Sequence, residues 1–444
     1  MLKQTIILCL PLLAALTGSV FSSSSTSAAT VWAEWDPVDA TEEIRAAIDQ
    51  AGVGGTVIIG SRPTPWYVRE NYGGPTDKTA ILLNRANQTF ELKSGATIRA
   101  RKGFFQGIKS TLMRITADGV TVKGAGPATS ILAMNKSDYQ SSDYIPSQFR
   151  SAIDVGGYKD ITIKDITINT PGGDGINLGG FYSFNPVIEN ILIQNVSIWK
   201  AHRNGLSVSS VRNSLLENIS VWETEGHDPE SAIDVELDHT YQRVQNVLVR
   251  DSIFYGSKRH NMKLELFNYH NNSLDQNTPT SWVSITFDNC MFPQSSGAGV
   301  YFGGPSGEAI DLPKNVPNWC WVNFNNCTVD DSAGDGMQFS HIYADTGMQV
   351  WFDDVEVRNS GRQFSQKHPV VFLFGKSGYR LGDIGFYSGC RIVDDRNVDT
   401  VFAPNWLQNY GFENLQGSLQ VDNSGGSPSL NIGQNLFNVT LNLF

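Results

Sequence analysis

Short segments in which apolar and polar residues alternate fill most of the chain. Residues 89–92, 97–99, 112–115 and 120–122 are examples, and each is too short to be stable without neighbouring strands. Because successive side chains of a strand point to opposite faces, each segment predicts a strand with one buried face. The pattern is typical of an all-β protein built from many short strands.

One amphipathic helix precedes these strands. Apolar residues at positions 44, 47, 48 and 51 have the i, i+3, i+4, i+7 spacing of a helix. Asp39 or Thr41 can cap its start, and Gly52 can end it. A single helix that leads into stacked strands predicts a cap over the open end of the stack.

Two families of similar segments recur in alternation. Copies of the first, which we call the short repeat, begin at residues 152, 175, 205, 232 and 261, with a looser copy at 336. Copies of the second, the long repeat, span residues 161–168, 191–198, 214–221, 247–254, 285–292 and 322–329. About 23 to 30 residues therefore supply two or three short strands, which predicts one coil of a parallel β-helix and not one propeller blade.

Each long repeat carries an Asn or Asp at its centre. These residues tolerate a left-handed backbone and bond locally, so we expect them where each coil turns. Residues 80–400 are assigned to the β-helix, residues 30–79 to an N-terminal cap with the first strands, and residues 401–444 to final coils or a C-terminal cap.

The first 29 residues have the layout of a secretory signal peptide. Lys3 precedes an apolar run and a tract of small residues, with cleavage expected after Ala28 or Ala29. The run is short for a membrane anchor, so we expect a secreted protein, extracellular or periplasmic, with no membrane association after cleavage.

Composition and charge narrow the possible partners. The 444 residues include 42 glycines and carry a formal net charge of −11 without a basic stripe, which makes nucleic acid a poor partner. A polyanionic substrate would need a local basic patch or a bridging cation. The sequence does not indicate an oligomeric state.

Four cysteines remain after signal cleavage. No two of them form a Cys-x-x-Cys pair, so we expect no zinc site. Cys290 and Cys327 occupy the same position in consecutive long repeats, and both a disulfide and a pair of buried free thiols are compatible with that stacking.

The helix followed by Gly-Gly-Thr-Val at residues 54–57, and repeats such as NSLLENISVWETEGHDPESAIDVE at residues 213–236, resemble the pectin lyase-like right-handed parallel β-helix superfamily. The resemblance covers roughly residues 36–400 and implies this fold and action on a polysaccharide, by hydrolysis, elimination or epimerisation. The polygalacturonase motifs are echoed only at Asp174 and Met262-Lys263, so no catalytic residue is carried over from that family.

Stacked short repeats would align their outward residues in columns. One column is predicted to hold Asp154, Asn177, Ser207, Asp234 and Lys263, and the next Gly156, Gly179, Ser209, Glu236 and Glu265. Asp234 and Glu236, with Cα atoms roughly 6.5 Å apart, are the predicted catalytic pair of a glycoside hydrolase that needs no cofactor. We expect Lys263 to keep Asp234 ionised as the base, and Glu265 to favour protonation of Glu236 as the acid.

Two alternatives stay open. A uronate lyase or epimerase would use Lys263, His202 or Arg203 as its base, with Ca²⁺ held by Asp154, Asp174, Asp234 and Glu236. The second alternative is a non-catalytic β-helix that binds carbohydrate. Substrate contacts are predicted at Asp174, Asn177, His227, Asp228, His260 and Glu265, and sugar stacking at Trp199, Trp222 and Tyr241.

Overall fold

The fold is a parallel β-helix in which two long sheets wind around one core. The computed structural model describes residues 28–73, 78–179, 187–237, 242–266, 283–304, 320–342, 348–361, 363, 367–375, 380–396, 398–422 and 428–444. Residues 1–27, which belong to the predicted signal peptide, and Tyr241 lie outside this set.

The smaller sheet, called the site sheet below, contains all copies of the short repeat. Its neighbouring strands are parallel apart from the first pair, which is antiparallel. In the described residues its strands are Tyr72–Gly73, Lys78–Leu83, Thr111–Ile115, Ile153–Val155, Ile176–Leu178, Leu206–Val208, Ile233–Glu236, Met262–Glu265, Val300–Gly303, Met337–Ser340, Val370–Phe374, Val401–Phe402 and Leu430–Asn431.

The larger sheet contains the long repeats. Its described strands are Thr30–Trp32, Thr56–Ile59, Trp66–Val68, Thr89–Leu92, Thr97–Ala100, Thr121–Lys123, Ile131–Ala133, Thr162–Asn169, Ile188–Glu189, Leu192–Trp199, Val211–Trp222, Val244–Arg250, Ile253–Tyr255, Val283–Asp288, Met291–Pro293, Cys320–Asn325, Thr328–Asp330, Met348–Asp353, Glu356–Arg358, Leu381–Phe386, Arg391–Val393, Phe412–Asp422, Leu436–Phe437 and Thr440–Leu443. Strands of both sheets continue past residue 400.

Three helices lie among the described residues: Thr41–Ala51, Lys136–Tyr139 and Asn405–Gln408. The first is the predicted cap, and it buries Ile44, Ala47, Ile48 and Ala51. No side chain caps its first turn at Ala40. Asp39 instead lies just before the helix and accepts hydrogen bonds from the Thr41 N–H and hydroxyl, while Gly52 ends the helix at φ 68°. None of the described helices is long and apolar enough to cross a membrane.

The central Asn or Asp of each long repeat lies at a turn, as predicted. Asp165, Asn195 and Asn218 have φ between 51° and 59°. Their side chains form a ladder along the coils, because the Asn195 amide donates to Asp165 (2.7 Å) and the Asn218 amide donates to Asn195 (3.2 Å). The ladder therefore links the turns of successive coils through side-chain hydrogen bonds.

Cys290, Cys327 and Cys390 are buried free thiols. Of the two arrangements compatible with the sequence at Cys290 and Cys327, the structure therefore has the unbridged one.

Aromatic rings from successive coils stack inside the later part of the core. Phe324, 1% exposed, lies between Phe287 (ring centroids 4.8 Å apart) and Phe352 (5.3 Å). We expect Phe324→Ala to lower the free energy of unfolding by about 3–5 kcal/mol, because a close-packed core cannot collapse onto the missing ring. Denaturant unfolding measures this. Tyr387→Ala, at a 40% exposed residue, is the control, and an equal loss in both variants would contradict the packing argument.

Candidate functional site

The site sheet confirms the predicted register of the outward column. Asp154 pairs with Asn177, Asn177 with Ser207, Ser207 with Asp234, and Asp234 with Lys263. Glu236 likewise pairs with Glu265 on the next strand. Ile233 and Val235 point into the core and are fully buried, so the alternation that placed Asp234 and Glu236 outside the core is correct.

The column is longer than the sequence predicted. Arg114 precedes Asp154, and Tyr301 and Gln338 follow Lys263 in the same register. Tyr301 was missed because its strand, Val300–Gly303, was not recognised as a copy of the short repeat. The signal was present, since Gly299-Val-Tyr-Phe302 has the same pattern as Gly205-Leu-Ser-Val208.

A groove of about 560 Å³ runs over this part of the sheet. Three of the five predicted catalytic residues line it: Arg203, Glu236 and Lys263. Four of the predicted substrate contacts do so as well: His227, Asp228, His260 and Glu265. Gln148, Arg259, Tyr301 and Gln338 also line the groove and were not predicted.

Two cations organise the carboxylates of the groove. Arg203 lies 3.1 Å from Asp174 and 3.8 Å from Glu236. Lys263 forms a close ion pair with Glu265, and its Nζ lies 3.8 Å from Glu236 and 3.9 Å from Asp234. Glu236 therefore has a cation on each side, an arrangement that suits an anionic carboxylate.

Asp234 lies deeper than its strand alone suggests, with only 1% of its side chain exposed. The Asn204 amide donates to its Oδ2 at 3.0 Å, while Oδ1 is buried and has no hydrogen-bond partner among the described residues. Burial raises the pKa of Asp234 to about 8, against the opposing effect of Lys263. The direction of this shift is opposite to the predicted role of Asp234 as the ionised base, because desolvation outweighs the lysine and favours the protonated form.

The raised pKa of Asp234 ties stability to pH. The unfolded chain loses this proton near the ordinary value of 3.8, whereas the folded protein keeps it to about 8. Stability from this group therefore falls as pH rises between these values, by at most about 1.4 kcal/mol per pH unit. We expect urea unfolding to show wild type losing stability relative to Asp234→Asn between about pH 5 and about pH 8. A difference that does not change with pH would contradict the buried proton.

At Glu265 and Lys263, burial and the neighbouring charges also shift the pKa in opposite directions. Burial raises the pKa of Glu265, although Lys263 opposes the shift. Burial alone would lower the pKa of Lys263, but Asp234, Glu236 and Glu265 together outweigh it, so the lysine pKa is raised. Lys263 is therefore held firmly as an ammonium ion.

His202 and His260 are poor cations here. Burial lowers the pKa of both His202 and His260 to about 4. His202 lies outside the groove lining, where the Gln140 amide donates to its Nδ1 at 3.2 Å. His260 stacks on Tyr301 with ring centroids 4.9 Å apart. His227 stays in the groove, with its Nδ1 2.9 Å from the Asp228 carbonyl oxygen.

Asp174 belongs to a structural device that occurs twice. It is buried between two glycines, bonds Arg203 and accepts the Asn204 N–H at 3.1 Å. Asp335, also between two glycines, bonds the Lys367 ammonium (3.2 Å) and accepts the His368 N–H (3.0 Å) in the same way. Because Asp335 has the same bonding pattern outside the groove lining, we interpret Asp174 as a residue that holds a coil turn and orients Arg203.

Asp154 and Asn177 lie along the column from the groove. The Arg114 Nε contacts Asp154 at 3.3 Å, and the Asn177 amide donates to Asp154 at 3.1 Å. The four carboxylates suggested for Ca²⁺ are thus bonded to cationic side chains or separated along the sheet. Within the described ranges, no group of three or more His, Cys, Asp or Glu residues converges to hold a metal ion.

The tryptophans predicted to stack on sugars stack on each other. Trp199 and Trp222, from adjacent coils, have ring centroids 5.2 Å apart and nearly parallel planes (13°), and Tyr255 continues the row. Their shared faces are thereby covered, which indicates a stabilising external ladder.

Comparisons with known proteins give structural likeness only. No family model matches the chain, and no curated protein matches its sequence. The Azotobacter vinelandii mannuronan C-5 epimerase AlgE6 A-module is similar in structure, with a TM-score of 0.63, 14% identity, and 92% of this chain and 97% of that one covered. A Yersinia enterocolitica family 28 exopolygalacturonase has a TM-score of 0.52 and 11% identity, with 93% of this chain and 78% of that one covered. PfbA, a surface adhesin of Streptococcus pneumoniae, has a TM-score of 0.52 and 12% identity, with 93% of this chain and 91% of that one covered.

These neighbours have different functions on one architecture, and their low identities carry the fold alone. The stacked parallel coils, the helix at the N-terminal end and the structural neighbours agree with the sequence resemblance. The chain has the right-handed parallel β-helix fold of the pectin lyase-like proteins.

Proposed function

We propose that the protein is a polysaccharide-active glycoside hydrolase in which Asp234 is the proton donor and Glu236 the base. The observation that carries the proposal is the contrast between these two carboxyls of one strand. Asp234 is buried with its pKa raised to about 8, whereas Glu236 lines the groove between two cations. Two carboxyls in opposite protonation states are what glycosidic hydrolysis requires.

Asp234 would protonate the glycosidic oxygen as the bond breaks. A general acid must hold its proton at working pH, and the raised pKa meets that condition. Its buried Oδ1, which has no hydrogen-bond partner among the described residues, is the atom that would donate. Lys263 Nζ lies 3.9 Å from this oxygen, so the lysine would have to move for a sugar to reach it from the groove.

Glu236 would activate a water molecule at the anomeric carbon. Arg203 and Lys263 support its negative charge before the reaction. As Glu236 takes a proton from water, Asp234 gives one to the leaving sugar, so the pair returns to its starting state after product release and proton exchange with solvent. Hydrolysis by this pair uses no cofactor.

The residues predicted as bases support elimination or epimerisation less well than the two carboxyls support hydrolysis. Lys263 is held as an ammonium ion by nearby carboxyl groups, with Glu265 in a close ion pair, and Arg203 is bonded to Asp174. His202 accepts a hydrogen bond from Gln140 outside the groove. Each candidate base is therefore unable to take a proton, or lies away from the substrate.

A panel of polysaccharides tests the proposal. We expect new reducing ends without ultraviolet absorbance, since hydrolysis forms no double bond. An absorbing unsaturated product would replace the proposal with a lyase, and binding without product would replace it with a carbohydrate-binding protein. The predicted signal peptide supports an extracellular or periplasmic location for such an enzyme.

A further inference from the structure

We infer that the substrate of the groove is a neutral glycan and not a polyuronate. The inference deepens the proposed hydrolase function and rests on it. Its basis is that each cation lining the groove in the described residues already contacts a carboxylate of the protein. Arg203 pairs with Asp174 (3.1 Å), Arg259 with Asp228 (2.9 Å), and Lys263 with Glu265.

The charges around the groove leave no positive excess for an anion. The three cations are surrounded by four contacting carboxylates, from Asp174, Asp228, Glu236 and Glu265. A chain with a formal net charge of −11 adds repulsion at longer range. Each uronate carboxylate would leave water and find cations that already have partners, which is unfavourable.

Neutral groups supply the remaining polar contacts. Gln148, Gln338 and Tyr301 line the groove, and their side chains carry amide and hydroxyl groups. Side-chain amides and hydroxyls match the hydroxyl groups of an uncharged sugar. The groove is thus polar enough for a glycan without a separate site for a carboxylate.

Matched glycan pairs test the inference. Each polyuronate is compared with the same chain after chemical reduction of its carboxyl groups to alcohols, alongside a panel of neutral glycans. We expect hydrolysis or binding of at least one neutral member, no preference for a polyuronate over its reduced partner, and little dependence of binding on salt.

The outcomes separate the two proposals. Hydrolysis of a polyuronate in preference to its reduced partner, with binding weakened by salt, would overturn the neutral substrate and leave the hydrolase intact. Elimination from a polyuronate would overturn both. Binding to no neutral glycan on the panel would also count against the inference.

A variant tests the charge argument directly. Glu265→Gln removes the partner of Lys263, so we expect trigalacturonate to bind about 10-fold or more tightly to the variant than to wild type, since hydrogen bonds to charged groups are strong. Glu225→Gln is the control, because Glu225 pairs with Lys258 (3.6 Å) outside the groove lining. Equal affinities in wild type and both variants would contradict an anion-excluding role of the ion pairs.

Discussion

Glu236→Gln is expected to lower kcat by roughly 10³–10⁴-fold on the polysaccharide that wild type hydrolyses, since it removes the base that activates water. Gln has nearly the same shape, so Arg203 and Lys263 keep a polar neighbour and the fold stays intact. Steady-state reducing-end assays at several pH values give kcat and KM separately. We expect the loss in kcat, with little change in KM.

Glu223→Gln is the matched control for this variant. Glu223 is an exposed glutamate paired with Lys200 (3.3 Å) on the outer surface, so the same chemical change there should leave turnover unaltered. If Glu236→Gln turned over like this control, Glu236 could not be the base.

Asp234→Asn should have the second large effect, with a different signature. An amide cannot protonate a leaving sugar, so we expect a loss of roughly 10²–10⁴-fold on the polysaccharide. An aryl glycoside with an acidic leaving group needs no protonation, and its cleavage should be nearly preserved. In wild type, activity should also fall above about pH 8 as Asp234 loses its proton.

Asp335→Asn provides the comparison for Asp234→Asn. Asp335 is likewise buried (2% exposed) but lies outside the groove lining, so its variant reports on the effect of changing a buried aspartate. Equal losses on both substrates in Asp234→Asn would contradict the proton-donor role, because a purely structural defect does not depend on the leaving group.

The fold could be predicted from the sequence because two local patterns repeat. Alternation fixed which face of each strand is buried, and the spacing of the short repeat placed Asp234 beside Lys263 and Glu236 beside Glu265. The copy of the short repeat that carries Tyr301 begins at residue 299. It lies farther from the copies at residues 261 and 336 than the roughly 23 to 30 residues that separate the earlier copies, so its strand was not recognised.

The protonation states could not be predicted in the same way. They depend on how deeply each carboxyl is covered, and Asp234 is covered by a hydrogen bond from Asn204 and by Lys263, which approach from a different turn and the next strand. Alternation says which face a side chain takes, but not how much solvent reaches it. The stacking of Trp199 on Trp222 was missed for a related reason, because aromatic character does not tell whether a ring faces a sugar or another ring.

The mass of the products formed by wild type from its polysaccharide tests the central claim most directly. Hydrolysis by Asp234 and Glu236 predicts that the fragments together exceed the parent chain by the mass of one water for each bond broken, and that in ¹⁸O-water the heavy oxygen enters one product at each cleavage. Fragments whose masses sum to that of the parent, with no heavy oxygen incorporated, would contradict it.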